Sequence, residues 1–456
     1  TLEKFLRYSG EIIVLIITSL VFIMYLFLYR RKIHDDVSMY LLVFLTLTII
    51  CVGSAVVYPF DEVNNYIVSV AIAPIILTII FDSRVGLLAT FTLAIITGLY
   101  HDYDFQYLVA TTTACSLGVF SVRDIKNRSQ FFFTTPGIVF VTYVLVIGGF
   151  SLSRFSGLEL FLNNVFFVLI NSLFILFTYP LILLFEKLFK ITTDFTLLEL
   201  SDTNHPLLKE LMNKAPGSFH HSLQVSNLSE AAASAIGANA LLCRVAAMYH
   251  DVGKMDKPDY FVENQAGERN EHDKLKPQMS ALVIKNHVSE GVKLAKEHNL
   301  PEVIIDFIKT HHGTSLIRFF YEKAKKKDKS DSDILEDDFR YDGPRPFTKE
   351  QGIMMLADGI EAASRSMKDH SYSKLNTLIN RMVDNNISDN QLNHCPLTFS
   401  QIEIIKQAFL NILVGVYHKR IEYPDDKKKQ DEKNKKTEEN SQEQEEAPET
   451  ADKQEN

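Results

Sequence analysis

The 456-residue chain has no tryptophan, only four cysteines and no basic excess, with 47 Lys and Arg against 56 Asp and Glu. Each shortage excludes something. Cys51, Cys115, Cys243 and Cys395 are scattered without a C-x-x-C pair, so neither a disulfide framework nor a zinc ribbon is supported. The acidic balance removes the basic footprint that a DNA- or RNA-polymer-binding protein needs. Without tryptophan, an aromatic belt at a membrane surface falls to tyrosine, and Tyr25, Tyr29, Tyr58, Tyr66, Tyr100, Tyr103, Tyr107 and Tyr179 stand near the ends of apolar runs.

Charge is also missing locally. Residues 1–190 hold 12 Lys/Arg and 12 Asp/Glu, which leaves 79 of the 103 charges for the remaining 266 positions. Seven apolar runs, about 12–29, 37–58, 66–81, 85–100, 107–122, 137–152 and 160–185, contain no ionisable side chain in their interiors. Runs apolar all round, such as 12–29 and 160–185, do not fit a soluble core helix, and seven in succession predict a membrane domain. Pumps and ion-coupled transporters place charges within their spans, so transport is disfavoured. Pro74 in the third run and Asn163, Asn164 and Asn171 in the seventh read as helix-packing devices.

Nine basic residues, Arg30, Arg31, Lys32, Arg84, Arg123, Lys126, Arg128, Lys187 and Lys190, follow alternate runs, whereas the opposing loops carry Arg154 alone. This asymmetry predicts a cytoplasmic C-terminal part and a chain start on the outside. The start at Thr1, without an initiator Met, suggests that a segment upstream is missing.

The expected organisation is all-α: a seven-span bundle over 1–190, a helical soluble domain over 191–424, and a disordered tail over 425–456 with 7 Lys and 12 Asp/Glu. Helices are predicted over about 220–236, 240–250, 275–298, 301–312, 348–367 and 400–420, and the Lys- and Asp-rich stretch 323–346 reads as an exposed loop.

Twelve of the 14 histidines lie in the soluble half. His221, His250-Asp251, His287, His311-His312 and Asp358 each fall in or at the end of a predicted helix, which is how a bundle builds a metal site. Imidazole nitrogen with carboxylate oxygen suits manganese, iron or zinc. Five histidines and two aspartates are too many for one ion and suffice for two bridged by a carboxylate.

The order H…HD…H…HH…D resembles the metal signature of the HD phosphohydrolase superfamily. The segments Ala215–Leu223 (APGSFHHSL), Tyr249–Lys254 (YHDVGK), Phe261–Gln265 (FVENQ), His311–Thr314 (HHGT) and Leu356–Arg365 (LADGIEAASR) are closer still to the seven-transmembrane receptors with an intracellular HD hydrolase domain, the PgpH-type cyclic di-AMP phosphodiesterases of bacteria. The resemblance covers residues 1 to about 420. It implies an all-helical HD-domain phosphohydrolase in the cytoplasm, carried by a multi-pass protein of the bacterial cytoplasmic membrane.

By motif, His221, His250, Asp251, His287, His311, His312 and Asp358 would hold two divalent transition-metal ions, manganese or iron, with Asp251 as the bridge. The implied reaction is hydrolysis of cyclic di-AMP to pApA by a two-metal-activated hydroxide, with Lys254 on a phosphate oxygen or, alternatively, facing solvent. The implied partners are cyclic di-AMP, the lipid bilayer, a second copy of the chain in a homodimer, and an unidentified signal received by an extracellular domain ahead of this region.

Two rivals stand beside this reading. A cyclic di-GMP hydrolase would carry Gly-Tyr-Pro after the double histidine, where this chain has Gly-Thr-Ser. The other rival is a receptor whose HD module binds nucleotide and signals without turnover. His220 is expected to be structural or to neighbour the site, His272-Asp273 to be a non-catalytic mimic in a polar loop, and His205, His298, His370, His394 and His418 to lie on the surface.

Overall fold

A computed structural model describes residues 2–60, 64–101, 103–123, 130–265, 270–327 and 334–417. The expected tail and His418 lie outside them. The chain divides near Lys209 and Glu210 into two compact units. Among the described residues there is no strand, only an isolated antiparallel bridge between Leu316 and Arg340.

The first unit contains a helix at each apolar run: α1 (Leu2–Tyr29), α2 (Val37–Val57), α3 (Ile72–Ile80), α4 (Ser83–Leu99), α5 (Phe105–Ser121), α6 (Thr135–Arg154) and α7 (Leu158–Phe174). A 3-10 turn, Ile175–Phe177, joins α7 to α8 (Thr178–Phe189). Aspartates begin three of them: Asp36 accepts from the Ser38 and Met39 amides, Asp82 from Arg84 and Val85, and Asp104 from Gln106. Outward faces are apolar, with Ile13, Ile17, Leu20, Leu145 and Leu162 exposed, while Leu42, Ile75, Leu93, Ala114 and Val139 pack inward.

The third run is not one continuous helix. A 3-10 turn, Asn65–Ile67, comes first, the backbone is extended at Val68, and α3 begins only at Ile72, so Pro74 sits in its first turn, where its missing N–H leaves no carbonyl unpaired. At the break Asn171 of α7 donates to the Tyr66 carbonyl at 2.8 Å and to the Val68 carbonyl, which also accepts from the Val70 amide, at 2.9 Å. Irregular backbone at membrane depth requires such buried satisfaction. A second amide pair, Asn64 to Asn164 at 2.7 Å, ties the same elements together.

The second unit contains α9 (Pro216–Ala235), α10 (Ala240–Tyr249), α11 (Pro277–Glu297), α12 (Glu302–Thr310), α13 (Arg318–Lys327), α14 (Lys349–Arg365), α15 (Tyr372–Ser388) and α16 (Phe399–Tyr417). A capping box opens α14, with Thr348 bonded to the Gln351 amide and the Gln351 side chain returning to the Thr348 amide. Helix α16 is long and apolar enough to cross a membrane, yet its Ile402, Ile405, Phe409 and Leu413 are buried against α9 and α15, so it is a core helix.

The stretch expected to be a loop from 323 begins inside α13. Phe320, Tyr321 and Ala324 pack with a fully buried Phe339, so a few apolar anchors hold a charge-rich segment down.

Candidate metal centre

Five places in the fold bring the seven motif residues together. Pro216 in the first turn of α9 starts the helix that carries His221, and His250 and Asp251 follow the last turn of α10, before a 3-10 segment, Val252–Asp256. His287 lies in α11, His311 and His312 follow α12 where Gly313 turns the chain at φ +51°, and Asp358 lies in α14. His221, His250, Asp251, His287 and His311 are at most 3% exposed.

These side chains sort into two ligand sets. His221, His250 and Asp358 form one and His287, His311 and His312 the other, with the ligand atoms of each set within 4.8 Å of one another. Asp251 stands between them. Its Oδ2 is 3.6 Å from His221 Nε2 and 3.2 Å from His250 Nε2, and its Oδ1 is 3.5 Å from His287 Nε2 and 3.7 Å from His311 Nε2. A carboxylate so placed can serve both sets at once.

The donor chemistry fits divalent ions. The Nδ1–H groups of His250, His287 and His311 donate to the carbonyls of Ala247, Ile284 and Ile308 at 2.6, 2.6 and 2.8 Å, which leaves each Nε2 as a lone-pair donor aimed inward. The His287 and His311 Nε2 atoms lie only 3.1 Å apart, two lone pairs facing each other, an arrangement that a cation relieves. His250 Nε2 and Asp251 Oδ1 are buried without a hydrogen-bond partner, an orphaned pair that ligation would satisfy.

Electrostatics agree. Burial pushes His312 down to about 3 and, with the neighbouring imidazoles, holds His311 well below the usual histidine range, so both are neutral and ligand-competent. Burial also opposes a charge on His250, but the adjacent Asp251 overrides it and lifts that imidazole to about 10, so an ion bound there would displace its Nε2 proton. Asp251 is held well below the carboxylate range, because His250 and Lys254 outweigh its burial.

Lys254 does not face solvent. Its ammonium is 2.7 Å from Asp251 Oδ2 and 2.8 Å from Glu263 Oε1, with the Phe261 ring beneath it at 5.0 Å. Glu263 also accepts from Ser218 Oγ, and the Asn264 side chain accepts from the Ser218 amide, so the Phe261–Gln265 motif braces the start of α9. Around these groups lies a cavity of about 360 Å³, whose wall includes Phe261, Tyr341, Met355, Arg365, Met382 and Asn386. Tyr341 stacks on His312 at 4.2 Å.

The residues set aside from the site stay outside it. His220 is exposed rather than a neighbour of the ligands, since adjacent helical positions diverge by about 100°. His272 is a buried structural residue, not part of a polar loop: its ring bonds the Tyr260 carbonyl and packs between Tyr260 and Phe320. His370 is half-buried and stacked on Tyr417 at 3.8 Å, and only His394 of the remaining described surface candidates is fully exposed.

Sequence reasoning missed Glu361, which accepts the His221 Nδ1–H. The available signal was its position three residues after Asp358 on the same helix face.

Comparison with known proteins finds two family matches and several relatives. Residues 5–193 match the family described as 7TM receptor with intracellular HD hydrolase, and residues 218–363 match the HD domain. The Bacillus subtilis cyclic-di-AMP phosphodiesterase PgpH is 37% identical over 381 residues, covering 81% of this chain and 53% of that protein. Its Listeria monocytogenes namesake is 35% identical over 436 residues, covering 92% and 59%. A crystal structure of the L. monocytogenes PgpH HD domain in complex with cyclic-di-AMP is 44% identical and covers 48% of this chain and 100% of that one, with a TM-score of 0.45. The chain spans a little over half the length of the curated relatives it matches.

The protein is a membrane protein carrying a hydrolase domain of the HD superfamily. More particularly, the chain belongs to the seven-transmembrane receptors with an intracellular HD hydrolase and is homologous to the PgpH cyclic-di-AMP phosphodiesterases.

Proposed function

We propose that this chain hydrolyses cyclic di-AMP to linear pApA, using two divalent transition-metal ions, manganese or iron, held by His221, His250, His287, His311, His312 and Asp358 and joined by Asp251. The observation that carries this reading is Asp251 itself, a buried carboxylate with one oxygen toward each of two three-residue ligand sets. When bound, such an ion pair acidifies a water and neutralises phosphodiester oxygens. Hydrolysis adds one water, breaks one P–O3′ bond, and leaves a 5′-phosphate and a 3′-hydroxyl.

The chain's own groups prepare that step. The main-chain carbonyls of α10, α11 and α12 fix the imidazoles. The Lys254 ammonium, at the cavity wall, adds positive field where a non-bridging phosphate oxygen would lie. Lys254→Gln is therefore expected to retain the bound ions and lower kcat by about 10²-fold. Metal analysis and steady-state kinetics on the same preparation check this, and an unchanged kcat would reduce the lysine to a structural partner of Asp251 and Glu263.

The reading places a seven-span domain over 1–190 in the bacterial cytoplasmic membrane, with the chain start outside, and the hydrolase over 191–424 in the cytoplasm, followed by the charged tail 425–456. The decisive experiment is incubation of the full chain in detergent with manganese and cyclic di-AMP. Appearance of pApA supports the proposal, whereas bound but intact nucleotide would establish the rival, a receptor that signals without turnover.

A further inference from the structure

The four buried ligand histidines are not held alike. His250, His287 and His311 each donate Nδ1–H to a carbonyl three residues earlier, at 2.6–2.8 Å. His221 has no such bond. Its Nδ1–H goes to the carboxylate of Glu361, while its Nε2 lies 2.9 Å from Asp358 Oδ1. Asp358 and Glu361 are three positions apart on α14, so one face of one helix brackets the His221 ring at both nitrogens. Glu361 is 6% exposed and His221 3%, so little water screens the contact.

A carboxylate behind a ligating imidazole does two things that a neutral carbonyl does less well: it fixes the tautomer and raises the electron density at the far nitrogen. The other ligand set has no hydrogen-bonded counterpart, because His287 and His311 are backed by main-chain carbonyls, and His312, stacked on Tyr341, has Asp358 Oδ2 no nearer than 3.6 Å to its Nδ1. We propose that Glu361 is a positioning residue that makes the two metal positions unequal, strengthening the one formed by His221, His250 and Asp358 over the one formed by His287, His311 and His312. The inference rests on the two-metal reading above and adds an order of affinity to it.

The test is manganese titration of the metal-free full chain in detergent, followed by calorimetry and by electron paramagnetic resonance. The wild type is expected to bind two ions with separable constants. Glu361→Gln preserves the size of the side chain but removes its charge, and is expected to weaken the tighter position by about 10–100-fold while leaving the other unchanged. Glu361→Asp, which keeps the charge on a shorter stem, should fall between the two and carries the test if the glutamine variant does not fold. Wild-type constants at both positions in the variant that folds would overturn the proposal. Equal weakening of both positions would overturn it too, since that marks a general disturbance of the fold. Two ions bound in this order without hydrolysis of cyclic di-AMP would sink the proposed activity and leave this inference standing.

Discussion

Asp251→Ala is expected to lower cyclic di-AMP hydrolysis by about 10³-fold or more, since losing several kcal/mol of metal-based stabilisation has that effect. The substitution deletes a carboxylate that faces both ligand sets, with Oδ2 toward His221 and His250 and Oδ1 toward His287 and His311. It also takes from Lys254 one of its two carboxylates, leaving Glu263 alone to balance the ammonium. Metal content should fall below two ions per chain, because three neutral or singly charged ligands on each side no longer share an anion. Elemental analysis and product identification on one preparation give both readouts. Full metal content with a retained rate would refute the assignment of Asp251 as the bridge.

Gly253→Ala is expected to destabilise the hydrolase unit by about 3 kcal/mol or more, at the upper end of what overpacking costs. A Cβ at this position would meet the His287 carbonyl oxygen at 1.8 Å and the Gly291 amide nitrogen at 2.4 Å. Both are backbone atoms of α11 and cannot swing aside as a side-chain tip would. The 3-10 segment after Asp251 therefore has to move away from the helix that carries His287, which pulls the bridge from one of its ligand sets. Thermal melting of the full chain should show a drop on the order of 10 °C, and metal binding should weaken with it. Melting at the wild-type temperature would mean that the two backbones separate without cost.

Much of the site was legible in sequence because metal ligation demands particular residue types. His221, His250, Asp251, His287, His311, His312 and Asp358 stand out as chemistry, and the structure gathers all seven. Glu361 was not legible in the same way, since a carboxylate on a helix is ordinary until the ring it supports is known. Lys254 was ambiguous for the opposite reason: a lysine after a helix usually meets solvent, and only the fold brings Glu263 from nine residues on to bury it.

Among the membrane helices, hydrophobicity marked every run, but uniform apolarity hid the break before Ile72. Its trace was the polar Asn171 in a distant run, legible as packing but not as the partner of particular carbonyls. The loop reading of 323–346 missed the end of α13 and one buried anchor, because many lysines and aspartates outvoted Ala324 and Phe339.

The bonds from His250, His287 and His311 to carbonyls one turn upstream have a consequence for how a metal is acquired. Winding the helices already freezes these rings, so the rotamer entropy of three ligands is lost during folding rather than at capture. Ions then enter a finished cage, and one can replace another without the chain unfolding. Which divalent ion such a cage would hold is then set by its fixed donor geometry together with the ions on offer.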